Sequence, residues 1–169
     1  MKKKFLFFTI LLCLCGVYSC NRSDEDVQYI DQLLNIYIKD ASGKDLLKGD
    51  EVGTYIGFAA NDNFGITDNA PVAFAKKTDA GGIDYLEYLA GAKREILDSI
   101  SPDQKTYQSS IRLNFTQKVN DGTNVSLSDT LRVIYNWTPQ VFEVSKVYYN
   151  GALKFTKQPN QPNIITVVK

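Results

Sequence analysis

The sequence predicts an all-β domain built from two packed antiparallel sheets, and three observations carry that expectation. From about Gln32 onward, apolar residues recur at every second position over short stretches. Gly, Asn, Asp and Pro interrupt those stretches at the spacing of strands and turns. About eight to ten stretches read as strands, against at most one short helix, and no internal repeat is present.

In Leu34-Asn35-Ile36-Tyr37-Ile38-Lys39, residues Leu34, Ile36 and Ile38 share one face. Asp40 to Asp45 then supplies a turn, in which Gly43 is free to take positive φ. Residues 52–60 form a second strand candidate. A polar loop through Asn61-Asp62-Asn63-Phe64-Gly65 and Thr67-Asp68-Asn69 leads to a third at 72–75, closed by Gly81-Gly82. Residues 83–98 fit one helical face loosely and a hairpin somewhat better, because Gly91 would cost a helix ~1 kcal/mol. Ser101-Pro102-Asp103 is a turn.

The C-terminal half is clearer. Ile111, Leu113 and Phe115 alternate with polar residues, as do Leu131, Val133, Tyr135 and Trp137, so each series marks a strand with one buried face. By this parity Trp137 is a core residue. Asp121-Gly122 between the two series is a hairpin signal. In Phe142 to Tyr149 the apolar parity slips between Val144 and Val147, which predicts a β-bulge near Ser145-Lys146. Asn150-Gly151 favours a type I′ turn into a strand at 152–155. Pro159 and Pro162 bracket a loop before a last, largely apolar strand at 164–168, stitched into a sheet. An immunoglobulin-like or transthyretin-like sandwich fits this pattern best. A small closed barrel is the alternative.

The first twenty residues belong to a different kind of segment. Met1-Lys2-Lys3-Lys4, the apolar run Phe5 to Leu14 and the small residues before Cys20 are the three parts of a secretory signal. The apolar run falls short of the ~20 residues of a membrane span. Val17-Tyr18-Ser19-Cys20 resembles a lipobox, with cleavage before Cys20 and lipid on its thiol. That resemblance implies a domain held at a membrane surface rather than through it. Residues 1–19 are then a leader, 20–31 a lipidated cysteine with an acidic flexible tether, and 32–169 a single domain. Ser23-Asp24-Glu25-Asp26 resembles the export signal of Bacteroidota surface lipoproteins, which implies an outer-membrane protein displayed at the cell surface; retention facing the periplasm is the alternative. The Leu34 to Leu47 opening, the Val147 to Leu153 stretch and the final strand also resemble β-sandwich lipoproteins of that group. This likeness carries no catalytic residues across.

Composition narrows the chemistry. The 169-residue chain has no histidine, the commonest general base and metal ligand. Its three cysteines are Cys13 and Cys15 in the leader and Cys20 at the lipid site, so the domain has no thiol for a disulfide, a zinc site or a nucleophile. Without Lys2, Lys3 and Lys4 of the leader, 16 Lys+Arg face 19 Asp+Glu, a net charge of −3. That balance lacks the basic footprint that nucleic acid requires. No cofactor or metal is called for.

The remaining candidates are few. Paired carboxylates of a hydrolase would come from Asp84, Glu87 and Glu95. Asp62, Asn63, Asp68 and Asn69 offer oxygens for Ca²⁺, at a spacing that matches no EF-hand loop. Tyr148 and Tyr149 are adjacent on one strand, so one must point outward and serve as a stacking platform for a sugar ring, with Tyr85 or Tyr88 as another. Asp98-Ser99-Ile100 and Asp129-Thr130-Leu131 resemble the tripeptides on which Bacteroidota exported proteins are O-glycosylated, which marks Ser99 and Thr130. The expectation is a membrane-anchored, non-catalytic binding or accessory module for a glycan or protein ligand. Its rivals are an assembly subunit of an envelope complex and, less favoured, a carboxylate-dependent hydrolase.

Overall fold

A computed structural model describes residues 27–49 and 51–169. The predicted leader 1–19, the lipidation residue Cys20 and the first part of the tether lie outside the described residues. The chain folds as an all-β sandwich, with no helix among the described residues. Its strands are β1 (Tyr29–Asp31), β2 (Leu34–Lys39), β3 (Tyr55–Asp62), β4 (Ala75–Thr78), β5 (Asp84–Tyr88), β6 (Glu95–Ser101), β7 (Gln104–Asn120), β8 (Thr123–Trp137), β9 (Val141–Tyr149), β10 (Ala152–Thr156) and β11 (Asn163–Val168).

They divide between a seven-stranded and a four-stranded sheet rather than closing into one barrel. The larger runs β1-β9-β8-β7-β3, with β10 beside β1 along β9 and β6 beside β3 along β7. The smaller runs β11-β2-β5-β4. The sheets are mixed, which corrects the expectation of wholly antiparallel pairing. β1 runs parallel to β9, and β11 parallel to β2. Both parallel pairs join strands far apart in sequence, whose partners local turn signals cannot announce. β1 also lies inside the stretch 20–31 read as tether, so ordered structure begins before Gln32.

Each strand follows its side-chain pattern. Leu34, Ile36 and Ile38 of β2 are fully buried against Leu86 and Tyr88 of β5, with Ile165 and Val167 of β11 alongside. From the facing sheet, Ile111, Leu113, Phe115, Leu131, Val133 and Tyr135 meet them. The predicted bulge is present: Tyr135 pairs with Val144 and Ile134 with Lys146, so Ser145 is the extra residue. It lets Phe142 and Val144 before it, and Val147 and Tyr149 after it, all face the core. Asn150 and Gly151 take φ of 49° and 79°, the two positive values of a type I′ turn.

The segment 83–98 is two strands, as preferred, but not a hairpin. β5 pairs in the small sheet and β6 in the large one, so the chain crosses between sheets near Gly91, whose φ of 120° suits only glycine. The strand expected at 72–75 starts only at Ala75, because Val72 and Phe74 pack on the core without forming a ladder.

One mismatch of length positions everything below. β7 and β8 have 17 and 15 residues, so each is about 50 Å long at the usual rise, whereas the six residues of β2 and β11 cover about 20 Å. The inner face of the large sheet therefore overhangs the small sheet and needs other cover at its ends.

Candidate functional site

At one overhanging end, the cover is incomplete. Lys105 and Tyr107 of β7 and Trp137 of β8 continue the inward-facing series of Ser109, Ile111, Leu131, Val133 and Tyr135. An open cleft of about 320 Å³ lies there, lined by Gln28, Ile30, Gln32, Arg94, Tyr107, Trp137 and Phe142. A second cleft of about 320 Å³ shares Trp137 and adds Lys105, Gln104, Asn136, Thr138, Ile100 and Glu143 among its walls. Trp137 borders both, but Gln104, Thr106, Asn136 and Glu143 belong to the outer face of the sheet, so the second cleft opens mainly on that side. The core assignment of Trp137 was right about its face and wrong about its cover: the ring is half-buried and packs on the core from the rim.

The side chains around this rim are firmly placed. Gln28 donates to the Thr138 carbonyl at 2.7 Å, which holds the start of β1 against the β8–β9 turn. Pairing of Ile30 with Phe142 puts both beside the cleft. Arg94 sits on the crossing segment, which is fastened at three points. The Ala92 N–H donates to the Tyr88 hydroxyl, the Lys93 N–H donates to Asp62 Oδ2, and the Lys93 carbonyl accepts from the Ser109 hydroxyl. The Arg94 guanidinium lies 4.6 Å from the Phe142 ring centroid and 5.1 Å from that of Tyr135. Its Nη2 donates to Gln32 Oε1 at 2.5 Å, and its Nε is buried with no acceptor. Lys105 Nζ lies 5.1 Å from the centre of the Trp137 ring.

No protein-family model matches the chain, and neither curated proteins nor solved structures give a match. The chemistry of this site is accordingly argued from its own side chains. An aromatic wall, an aromatic neighbour, two glutamine amides and two cations make a surface that stacks planar or ring-shaped ligands and hydrogen-bonds their edges.

The opposite end of the large sheet is built differently. There the loop carrying Leu46 and Leu47 packs over part of the overhang, Tyr55 stacks on Phe115 with ring centres 4.6 Å apart, and an open cleft of about 560 Å³ remains between Leu46, Tyr55, Leu127, Asp129 and Lys169. Asp129, also inward-facing on β8, is buried. It accepts hydrogen bonds from the Tyr149 hydroxyl at 2.8 Å and Asn150 Nδ2 at 2.6 Å, and it pairs with Lys169. Burial pushes the Asp129 carboxyl up, but hydrogen bonds from Lys169, Asn150 and Tyr149 and the lysine charge outweigh it and hold the group below the usual carboxylate range. Burial and the bond to Asp129 push the Tyr149 phenol up.

The aromatic platforms named from sequence fare unequally. Tyr149 and Tyr88 are 2% and 0% exposed, so neither can stack on a ligand; both point inward by strand parity. Tyr148 faces outward as required, half-buried, with the Arg132 guanidinium 5.5 Å from its ring centre. Tyr85 is half-buried on the outer face of the small sheet, where its ring stacks on Tyr37 at 5.2 Å. Ser99 is exposed on β6 beside an exposed Asp98. Thr130 is exposed too, but the Asp129 preceding it is buried and occupied, so the Ser99 tripeptide is the more accessible of the two.

The candidate acids do not converge. Asp84 pairs with Lys76 at 2.9 Å, Glu87 with Lys77 at 2.6 Å and Glu95 with Lys93 at 3.1 Å, and Glu95 lies in the other sheet. Hydrogen bonds from Thr78 and then Lys76 hold Asp84 below the usual carboxylate range. In the loop proposed for Ca²⁺, both oxygens of Asp62 are occupied by backbone N–H groups of Phe64 and Lys93, and the Asn63 amide donates to Ser110. Among the described residues no three acidic side chains gather as a metal ion would require.

Sequence reasoning missed Arg94, Tyr107, Gln28 and Gln32. The one available signal was the length of the apolar alternation ending at Trp137, which outruns any strand in the N-terminal half.

Proposed function

We propose that this chain is a lipid-anchored protein of the bacterial cell envelope whose β-sandwich binds a ligand, without catalysis, at the Trp137 end. The observation that carries the binding role is the open inner-face cleft at Trp137, rimmed by aromatic, amide and cationic side chains. The anchoring role rests on the lysine-headed apolar leader and Cys20, the sole cysteine after it. A glycan suits the site better than a protein partner. The clefts are small and lined by side chains that match ring faces and hydroxyls, whereas protein interfaces are large and flat. Two measurements test this. Replacing Cys20 by Ala should move the protein from the membrane fraction to the soluble one; unchanged fractionation contradicts the anchor. A glycan array probed with the chain and with Trp137→Ala should give signals that the substitution removes; signals that survive it contradict the site.

A second reading, assembly into a larger envelope complex, has one observation in its favour. β6 is an edge strand that is exposed along almost its whole length, with Ile96, Leu97 and Ile100 in solvent. Two register shifts, at Ile96/Asp98 and Ser99/Ser101, break its straight run and oppose strand addition there. Sedimentation of the chain against a Leu97→Lys variant checks it: a self-associated species that the lysine dissolves supports assembly through this edge, and a monomer in both contradicts it.

A further inference from the structure

The Trp137 end holds two cations with no acid to neutralise them. Among the described residues, neither Arg94 nor Lys105 has a carboxylate within 4.0 Å, while seven lysines elsewhere do. Arg94 lies against the Phe142 and Tyr135 rings, donates to a neutral amide and keeps a buried Nε without an acceptor. Lys105 lies over the Trp137 ring. By strand parity Gln104, Thr106, Asn136 and Glu143 of the second cleft lie on the outer face of the sheet, so Glu143, the single acid among the described residues lining either cleft, points away from Phe142 and Trp137. Arg94, Lys105 and the Trp137 ring share the inner face.

We propose that the inner-face cleft binds an acidic saccharide, a chain of uronate residues, with pyranose rings against Trp137 and Tyr107. Carboxylates meet Arg94 beside Phe142 and Lys105 over the Trp137 ring. This rests on the binding role assigned to the cleft above and adds the charge and class of the ligand. Two neutral amides, Gln28 and Gln32, line the same walls and match sugar hydroxyls as donors and acceptors. An acidic peptide would draw on the same cations, but it lacks the ring faces that Trp137 and Tyr107 stack against. The arginine suits a carboxylate, whose two oxygens match its planar donors.

The chain has a single tryptophan, so its fluorescence reports this site alone. The full chain in nonionic detergent is titrated with oligogalacturonate, oligoglucuronate and oligomannuronate, with their methyl esters, and with oligoglutamate. The expected result is a saturable change with at least one uronate series, weakened about tenfold or more in its ester and weakened by added salt. Arg94→Gln and Lys105→Gln should each weaken the acidic sugar about tenfold more than they weaken the ester. Arg94 also packs on the core rim, so Lys105→Gln keeps the test open if the arginine variant does not fold. Equal binding of acid and ester overturns the charge assignment and leaves the cleft as a sugar site. Binding of oligoglutamate alone overturns the ligand class. Silence toward every probe overturns this proposal, while a glycan-array signal lost in Trp137→Ala would still uphold the cleft.

Discussion

The two ends of the large sheet start from the same strands, and each keeps a cleft, but they differ in how their charged groups are partnered. At the Asp129 end, a loop and a stacked tyrosine pack beside a buried carboxylate whose hydrogen bonds come from three neighbouring side chains. At the Trp137 end, the overhang stays open, and its cations face aromatic rings and amides instead of acids. A satisfied polar cluster stabilises a fold. An unsatisfied one on a rigid rim is poised to take a ligand. The difference between the ends separates the part of this domain that holds the fold from the part to which the proposed function assigns a ligand.

The comparison can be broken or sharpened by substitution. The largest effect is expected from deleting Ser145, because the bulge keeps both ends in phase along β9. Without it, either Phe142 and Val144 or Val147 and Tyr149 turn outward. Losing two buried side chains costs about 4 kcal/mol or more, read as a collapse of the denaturation midpoint. Next, Asp129→Ala strips the acceptor from Lys169, Tyr149 and Asn150. It should cost about 2–3 kcal/mol in chemical denaturation and leave ligand affinity unchanged. Trp137→Ala should do the reverse, with binding weakened by a factor of about 30 or more and a smaller loss of stability.

Acid sharpens the contrast further. The Asp129 carboxyl titrates lower in the folded chain than in the unfolded one. Its contribution is therefore complete above the ordinary carboxylate value, near pH 4, and is withdrawn as pH falls through the folded value. Thermal melts from pH 7 to pH 3 should show a drop below about pH 4 that Asp129→Asn flattens. The smallest effect belongs to Tyr148→Ala on the outer face. About 0.5 kcal/mol should be lost with its Arg132 contact, and ligand binding should stay intact.

Much of this molecule was legible in the sequence wherever structure is local. The alternation in 111–115 and 131–137, the Ser145 bulge, the Asn150-Gly151 turn and the all-β class all follow from side-chain parity and turn chemistry. The parallel pairs were hidden, because β1 and β11 find partners more than a hundred residues away. The split of 83–98 between sheets was hidden for the same reason. Parity put Trp137 on the inward face but left open which of Tyr148 and Tyr149, and which of Tyr85 and Tyr88, faces the core. Tyr88 and Tyr149 are sealed and Trp137 is half-open because of what lies opposite them, and the small sheet's short strands decide that. The acid at 129 was legible only as part of a glycosylation-type tripeptide, and its partners Lys169 and Asn150 reach it from elsewhere in the chain.

The central claim is that Trp137 stands at an open ligand face. The most direct test is collisional quenching of its fluorescence by acrylamide, with and without the sugar that gives the strongest array signal. Efficient quenching in the free chain, suppressed when the sugar is bound, is the result predicted. A tryptophan shielded from acrylamide in the free chain, or quenched equally in both states, would contradict it.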